Sequence, residues 1–509
     1  MKIRVLFRHW MVILTLILVI SACASPPPAA GLNKPAPESS PTSAPQSSAS
    51  LPSAALSPTS PPVAVPPTGT AGNITRQVEG CSQALLPDSV LLVTWNRRSQ
   101  ENAIAPTDPQ TGQPLCEFKQ INAGKQYFSA LSPDGKTLAL TISHRDDGGG
   151  ARLHLLDLEN WQLAETPVEF DRWVGLMAFS PDGRQLAVAS SGPAYGAQGM
   201  LFSTQLASID LSNQSVLAET LLDFNPRLLA YLPDGSALVL YGSAQTQDYL
   251  AQGDPTAVML DVSTLQEIWQ TSLPGILEGQ FKDGEIEGPE GFINWSPGLA
   301  FSTASQTLFV VHADSDRLTT VDFSKRTLGT VEISRAASWL ERLLALTAGV
   351  AHAKTLNGTM KISVLSPDGE RLYVVGLTGD SWQDSYGEWQ FEEQMHGLQV
   401  IDPTGGAELA HLEVDSSDLA LSPDGTQIYL RGWNNTAAWT EVVDAHRLKP
   451  IARLAGRYLV NGRALSGEPL LLSNVSHEHQ TSLSVLDRTS FAEVSKWWVR
   501  GYANWLILP

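Results

Sequence analysis

Apolar residues in this chain come in short paired runs separated by a tight polar turn. The phrases are ALSPDGKTLAL from Ala130, AFSPDGRQLAV from Ala178, AYLPDGSALVL from Ala230, VLSPDGERLYV from Val364 and ALSPDGTQIYL from Ala420. Each predicts strand, turn, strand: Pro presets φ at the first central position, Asp bonds to nearby backbone, and Gly takes the left-handed residue that closes the turn. Degenerate copies, LLPDSVLLV from Leu85, AFSTASQTLFV from Ala300 and ALSGEPLLL from Ala464, bring the count to eight.

A second register gives the same count. An apolar or β-prone stretch ends in Asp108, Asp157, Asp210, Asp261, Asp322, Asp402, Asp444 and Asp487, and a further strand follows, as in LHLLDLENWQL from Leu153 and SLSVLDRTSFAEV from Ser482. Four strands per unit, repeating every 44 to 70 residues or so, resembles the β-propeller, in which each twisted blade buries its faces against its neighbours. The expected fold is therefore all-β, a propeller of four-stranded blades, eight favoured and seven the alternative if a degenerate unit does not form. Phe-Ser-Pro-Asp-Gly resembles the WD40-like repeats of the Tol-system periplasmic propeller, and the Tyr-Val-Val and Leu-Asp phrases resemble the Tyr-Val-Thr-Asn repeats of bacterial surface proteins. The resemblance covers nearly everything after residue 80. It implies a fold and is nearly silent on function, because propellers host scaffolds, binders and unrelated enzymes. The Gly-His and Trp-Asp dipeptides of true WD40 blades are absent.

The spacing from the turn Asp to the next turn Pro is 24 residues from Asp157 to Pro181, 23 from Asp210 to Pro233, 21 from Asp402 to Pro423 and 22 from Asp487 to Pro509. Ala503 to Pro509 is thus expected to supply the first strand of the first blade and close the ring near the C-terminus without free edges. Residues 81 to 87 are the competing source of that strand.

Upstream of the repeats the pattern changes twice. Lys2, Arg4 and Arg8 precede an apolar stretch from Trp10 to Ile20, shorter than the ~20 residues of a membrane span. It ends Ile20-Ser21-Ala22-Cys23, which resembles the lipobox of bacterial lipoproteins and implies diacylglycerol on Cys23 after cleavage of a signal peptide at residues 1–22. An ordinary signal peptide with a chance cysteine is the alternative. Residues 23–72 form the anchor and a Pro/Ser/Ala/Thr-rich tether that has nothing with which to build a core, and residues 73–509 form the propeller domain. The implied location is extracytoplasmic, lipid-anchored to the bacterial cell membrane or outer membrane.

Charge and composition then remove function classes. The formal net charge of −19 becomes about −22 once Lys2, Arg4 and Arg8 leave with the signal peptide, which argues against nucleic-acid binding. With three Cys, ten His and no Cys-x-x-Cys spacing, no metal or cofactor is expected. His477 and His479 are two neighbours where a metal site needs three or four ligands. Asp283, Glu285, Glu287 and Glu290 form an acidic cluster without the full oxygen pattern of an EF-hand loop. Cys81 and Cys116 are a possible disulfide within the first blade, with two separate buried thiols as the alternative. No catalytic residue is assigned, since the Gly-x-Ser-x-Gly elbow and a separate hydrolase domain are missing and the turn aspartates are expected to make local bonds.

Long connections point to one face. The two kinds of turn marked by Pro-Asp-Gly and by Asp stay short and share a face, so the insertions project from the other: Leu273 to Leu299, Ser334 to Thr359 and Gly376 to Gly397. The middle one reads as an amphipathic helix around Ser338 to Leu344. The outer two are acidic and aromatic, with Glu285, Glu287, Glu290 and Trp295, then Trp382, Tyr386, Trp389, Glu392 and Glu393. Such side chains suit stacking on a sugar or anchoring a basic peptide; packing of the inserts on the ring is the bland alternative. The favoured function is a monomeric, membrane-anchored propeller that binds or assembles with an envelope protein, peptide or glycan. A propeller-type lactonase, lyase or hydrolase with its site at the channel mouth is the alternative, and a structural spacer the third.

Overall fold

The computed structural model describes residues 75–77, 90–96 and 101–107, and residues 127–506 except 144–149, 159–161, 197–198, 247–249, 283–291, 335–355, 384–388, 423, 434–437, 456, 459–469, 476–479, 488 and 501. Contacts separate residues 1–69 from residues 70–509, and every described residue lies in the second unit. Among the described residues every regular element is a strand.

Among the described residues the strands form eight sheets, numbered in chain order, and in five of them the spatial order follows the sequence from end to end as an antiparallel meander. Sheet 2 holds Tyr127–Leu131, Thr137–Ser143, Ala151–Asp157 and Gln162–Phe170; sheet 3 holds Trp173–Phe179, Gln185–Gly196, Gly199–Asp210 and Ser215–Leu222. Sheet 4 follows with Asn225–Tyr231, Ala237–Gln245, Ala251–Asp261 and Glu267–Ser272, and sheet 5 with Gly298–Ser302, Thr307–Val311, Arg317–Asp322 and Thr327–Glu332. Sheet 6 is built on Leu356–Leu365, Leu372–Gln383, Trp389–Ile401 and Glu408–Leu412, sheet 7 on Asp418–Leu421, Gln427–Trp433, Ala438–Asp444 and Pro450–Ala455. Sheet 8 has Arg457–Tyr458, Leu470–Val475, Gln480–Leu486 and Glu493–Arg500. In sheet 1, Val90–Asn96 lies between Glu101–Thr107 and the C-terminal strand Tyr502–Leu506, with Leu92 opposite Trp505.

Apolar cores lie between consecutive sheets, from the pair 2 and 3 to the pair 7 and 8. Sheet 4 shows why the strand after each Pro-Asp-Gly turn reads as a continuous apolar run. Leu238 and Leu240 face the core with sheet 3, while Ala237, Val239 and Tyr241 face the core with sheet 5, so both faces of the strand are buried. First strands lie against one another between sheets 2 and 3, 3 and 4, 5 and 6, and 6 and 7, and fourth strands alternate exposed and half-buried positions, as in Glu267–Ser272. Inner strands touching, cores between sheets and solvated outer strands are the arrangement of a β-propeller.

The turns are as self-contained as their residues predict. In sheet 2, Ser132 Oγ donates to Asp134 Oδ1 (2.6 Å) and accepts from Thr137 N (2.9 Å), Lys136 N donates to Asp134 Oδ1 (3.1 Å), and Gly135 sits at φ +72. Ser180, Ser366 and Ser422 repeat the pattern. In the second turn the Asp carboxylate accepts from the residues two and three ahead, and the fourth residue adopts a left-handed φ: Gln214, Leu265, Arg326, Leu448 and Phe491 near +55, and Gly406 at +71. A non-glycine residue costs roughly 1–2 kcal/mol there. Leu265 offsets that by burying its side chain in the core between sheets 3 and 4, worth about 1.5–3 kcal/mol.

Three sheets depart from four strands. Sheet 2 gains Thr75–Gln77 on its outer edge, sheet 1 has three described strands, and sheet 6 has six. The last departure shapes one face of the ring.

Candidate functional site

The second and third strands of sheet 6 run for 12 and 13 residues, where those of sheet 5 run for 5 and 6. The segment Gly376 to Gly397, expected as a loop-like insertion, is instead largely a paired ribbon in which Leu377 faces Met395, Asp380 faces Glu392 and Gln383 faces Trp389. Strands of β-prone residues such as Trp389, Phe391 and Thr378 continue pairing once a hairpin has begun. The pairing register shifts between Val375 and Leu377 at the root of the ribbon, which is where a bulge bends it relative to the sheet below. Gly376 suits this place: a Cβ there would lie 2.7 Å from His396 Nδ1.

The insertion between sheets 4 and 5 joins the same structure. Its Gly279–Lys282 and Phe292–Ser296 pair antiparallel, and Phe292–Ser296 then pairs in parallel with the start of Leu356–Leu365, Asn294 to Gly358 and Trp295 to Thr359. A single bridge from Leu250 to Gln280 adds the second hairpin of sheet 4. Gly358, at φ +125, admits this approach because a Cβ there would stand 1.7 Å from the Asn294 carbonyl oxygen. An awning of strands thus covers the connection side of sheets 4 to 6, held mainly by sheet 6.

Charged groups fasten its roots. Arg227 Nη1 lies 3.5 Å from Glu278 Oε1 at the start of the insertion, and its Nη2 donates to the Pro297 carbonyl at the end (3.3 Å). Glu278 is 2% exposed, and burial pushes its carboxyl above the usual range against the opposing pull of Arg227 and Tyr241. Arg317 donates to the Gly275 carbonyl (3.2 Å), Gly275 N donates to Asp254 Oδ1 (3.2 Å), and Lys361 Nζ donates to the Ser315 carbonyl (3.2 Å). Buried among them, His312 shares a hydrogen bond with Thr319 Oγ1 (2.8 Å). Burial first, then the charge of Arg317, lowers its pKa to about 4, so the ring is neutral at pH 7. On the far side of Lys361, Thr359, Thr378 and His396 form a relay of 2.9 and 2.8 Å contacts. Arg227, Arg317 and Lys361 each hold a backbone carbonyl, while His312 and the Thr359, Thr378 and His396 relay bond side chain to side chain.

Of the residues singled out from sequence, Trp295 lies in the awning strand, half-buried, and Glu393 is exposed on the ribbon. Trp382, Trp389, Glu392 and Glu393 lie on the ribbon's paired strands, and Trp295 lies in the same sheet, in the row of Thr359, Thr378 and Gln394. Glu285, Glu287, Glu290, Tyr386, Cys23, Cys81, Cys116, His477, His479 and the expected helix around Ser338 lie outside the described residues. Among the described residues no three metal-ligating groups converge.

The fastening cations were missed by sequence reasoning, although a signal exists. Counting six residues back from the turn Pro gives Arg227 in sheet 4 and Lys361 in sheet 6, and six back from Thr303, which takes the place of Pro in sheet 5, gives Pro297. The same position is Tyr127 in sheet 2, Gly175 in sheet 3 and Ser417 in sheet 7. Two cations in that slot, on either side of sheet 5, mark where long-range bonds are made.

No family model and no curated protein matches the sequence. Solved structures do. The β-propeller domain of Swd1 from Myceliophteria thermophila is 13% identical, covering 74% of this chain and 98% of that one, with a TM-score of 0.36. The periplasmic gluconolactonase of Pseudomonas aeruginosa is 13% identical over 83% of this chain and 100% of its own, TM-score 0.39. TolB from Acinetobacter baumannii is 12% identical over 70% and 76%, TM-score 0.30. At these values the likenesses assign no activity, and the propeller stands on strand order, inter-sheet cores and solvated outer strands: an all-β propeller with an awning of inserted strands on one face.

Proposed function

We propose that the chain is a lipid-anchored, extracytoplasmic propeller that binds an envelope partner, a protein, peptide or glycan, through the awning side of sheets 4 to 6. The observation that carries the reading is the pairing of Phe292–Ser296 with Leu356–Leu365. It joins two separate insertions through their backbones, one carrying Trp295 and the other Trp382, Trp389, Glu392 and Glu393, and placing anchors on paired strands lowers the ordering cost of binding. Arg227, Arg317 and Lys361 bond to backbone carbonyls at the awning's roots, which suits a support. The Ile20-Ser21-Ala22-Cys23 ending supports the anchoring, and the tether lets the ring stand clear of the membrane.

The test is crosslinking and affinity capture from the native envelope. Wild type is expected to retain a defined partner that the variant W382A/W389A/E392Q/E393Q loses, with an unchanged unfolding temperature. Capture that survives this variant would move the site off the platform. Cys23→Ala is expected to release the protein from the membrane fraction, and a native N-terminus without lipid at Cys23 would overturn the anchor.

A further inference from the structure

Charge is not spread evenly along this acidic chain. Residues 445–509 hold eight Lys and Arg against four Asp and Glu, a formal +4, while residues 1–444 hold 25 against 48, or −23. Between Asp444 and Glu468 there are five lysines and arginines and no acid. The fold puts much of this excess on the outer strands of sheets 7 and 8. In Pro450–Ala455, Ala452 and Leu454 turn into the core with sheet 8, which leaves Ile451, Arg453 and Ala455 in the alternate, exposed row; Arg447 and Lys449 are exposed in the turn that leads in. In Glu493–Arg500, Lys496 and Trp498 are two residues apart and so share one row of the strand. Trp498 is 57% exposed, with Lys496 Nζ 5.9 Å from its ring centre.

The acids nearby are few and mostly engaged. Asp444 Oδ1 accepts from the backbone N–H groups of His446 and Arg447, Glu493 reaches Lys496 at 3.6 Å, and Glu441 lies opposite Arg453 in the strand pairing. Among the described residues no carboxylate lies within ion-pair distance of Arg447, Lys449 or Arg453; the last sits over the Trp439 ring at 4.5 Å. A small anion needs cations that converge on one pocket. Here they are strung along two neighbouring outer strands, which a broad surface can touch at once. Tryptophan and an exposed aliphatic among Lys and Arg suit the headgroup level of a bilayer, where the apolar groups enter the interface and the cations meet anionic headgroups. The tether arrives on the rim as well: Thr75–Gln77, just beyond its end, pairs on the outer edge of sheet 2.

We propose that the rim of sheets 7 and 8 docks on an anionic phospholipid surface, with Arg447, Lys449, Arg453 and Lys496 at the headgroups and Trp498 and Ile451 in the interface. The contact sets the ring on its edge beside the membrane and leaves the awning of sheets 4 to 6 for the partner. That orientation rests on the lipid-anchor reading, whereas the lipid affinity does not.

Vesicle sedimentation of residues 23–509, made without the lipid, is the test; every described strand lies within that stretch. At low salt, binding is expected to vesicles of three parts phosphatidylcholine and one part phosphatidylglycerol. It should be at least tenfold weaker on phosphatidylcholine alone and should be reversed by added salt. R447Q/K449Q/R453Q/K496Q should lose at least tenfold and W498A several-fold, while K136Q/R184Q/K325Q/R326Q, which removes the same charge from turns of sheets 2, 3 and 5, should bind as wild type does. The lipid comparison uses the unaltered sequence, so it decides the matter even if a variant folds poorly. Equal binding to both vesicles, binding to neither, or an equal loss in the second quadruple variant would overturn the proposal. Capture by polyglutamate with none by vesicles would overturn it too, and would assign the surface to an acidic protein. A native N-terminus without lipid would remove the anchor and leave this affinity in place, so the two failures are distinguishable.

Discussion

The bonds that shape the turn face reach two to five residues along the chain, as from Ser132 to Asp134 and from Thr137 to Ser132. On the connection face Arg317 reaches 42 residues to Gly275, Lys361 reaches 46 to Ser315 and Arg227 reaches 70 to Pro297. The turn face has long-range bonds too, from Arg371 and Tyr373 to the Ala445 carbonyl, but these join turns that are already complete. One face is therefore repeated and local, able to form in each hairpin as it folds. The other exists only after sheets 4, 5 and 6 have assembled, because its donors and acceptors belong to different sheets.

This contrast fails if the long-range clamps prove idle. Arg227→Ala should be the most damaging single change, costing about 3–5 kcal/mol by leaving the Glu278 carboxyl buried without its partner. Urea unfolding measures it, and R227A/E278Q should recover much of the loss. A cost under about 1 kcal/mol would mean that the clamp contributes no more than an exposed ion pair.

Gly358→Ala sharpens the comparison from the side of the awning. Its Cβ would meet the Asn294 carbonyl, so Phe292–Ser296 should detach at a cost of about 2–3 kcal/mol, within the usual range for single substitutions. Hydrogen exchange should rise in residues 292–296 while the turns of sheets 2, 3 and 7 stay protected. Partner capture should fall with it.

A smaller pH response is expected from the connection face. His312 titrates at about 4 when folded against 6.5 for an ordinary histidine. Between those values the unfolded chain binds the proton and the folded chain does not, so stability rises with pH through that window. The contribution is complete above pH 6.5 and is lost as pH falls toward 4. Thermal unfolding at pH 7 and pH 5 should differ by a few degrees from this source, and His312→Asn should narrow the difference. The smallest effect is expected from Gly183→Ala on the turn face. Its φ of +71 is strained for alanine, but no atom lies closer than 3.8 Å to the new Cβ, so about 1 kcal/mol is expected, with no change in capture.

Much of the fold was legible because the repeat carries its own physics. Pro133, Asp134 and Gly135 specify a turn whatever surrounds them, and the run Ala237 to Tyr241 announces a strand buried on both faces. Even the degenerate AFSTASQTLFV of sheet 5 pairs its strands in the same register, Ser302 opposite Thr307, although the left-handed residue moves one position on to Gln306 at φ +54. Counting from Asp487 leads to a strand at Ala503 to Pro509, and Tyr502–Leu506 pairs with Val90–Asn96. The aromatic and acidic ribbon was legible as residues and misjudged as structure: nothing in Gly376 to Gly397 distinguishes a long loop from a hairpin until Leu372 and Ile401 are paired at its base.

What the amino-acid order determined by itself was the unit, its turns, its two-sided burial and its repetition, because each depends on contacts within a few residues or on a pattern of period two. What only the tertiary structure decided was the parallel pairing of Phe292–Ser296 with Leu356–Leu365 and the clamps at Arg227, Arg317 and Lys361. Each joins residues from different repeats, and their meeting depends on how far the twist of one sheet carries its edge toward the next, a quantity that no local pattern along the chain contains.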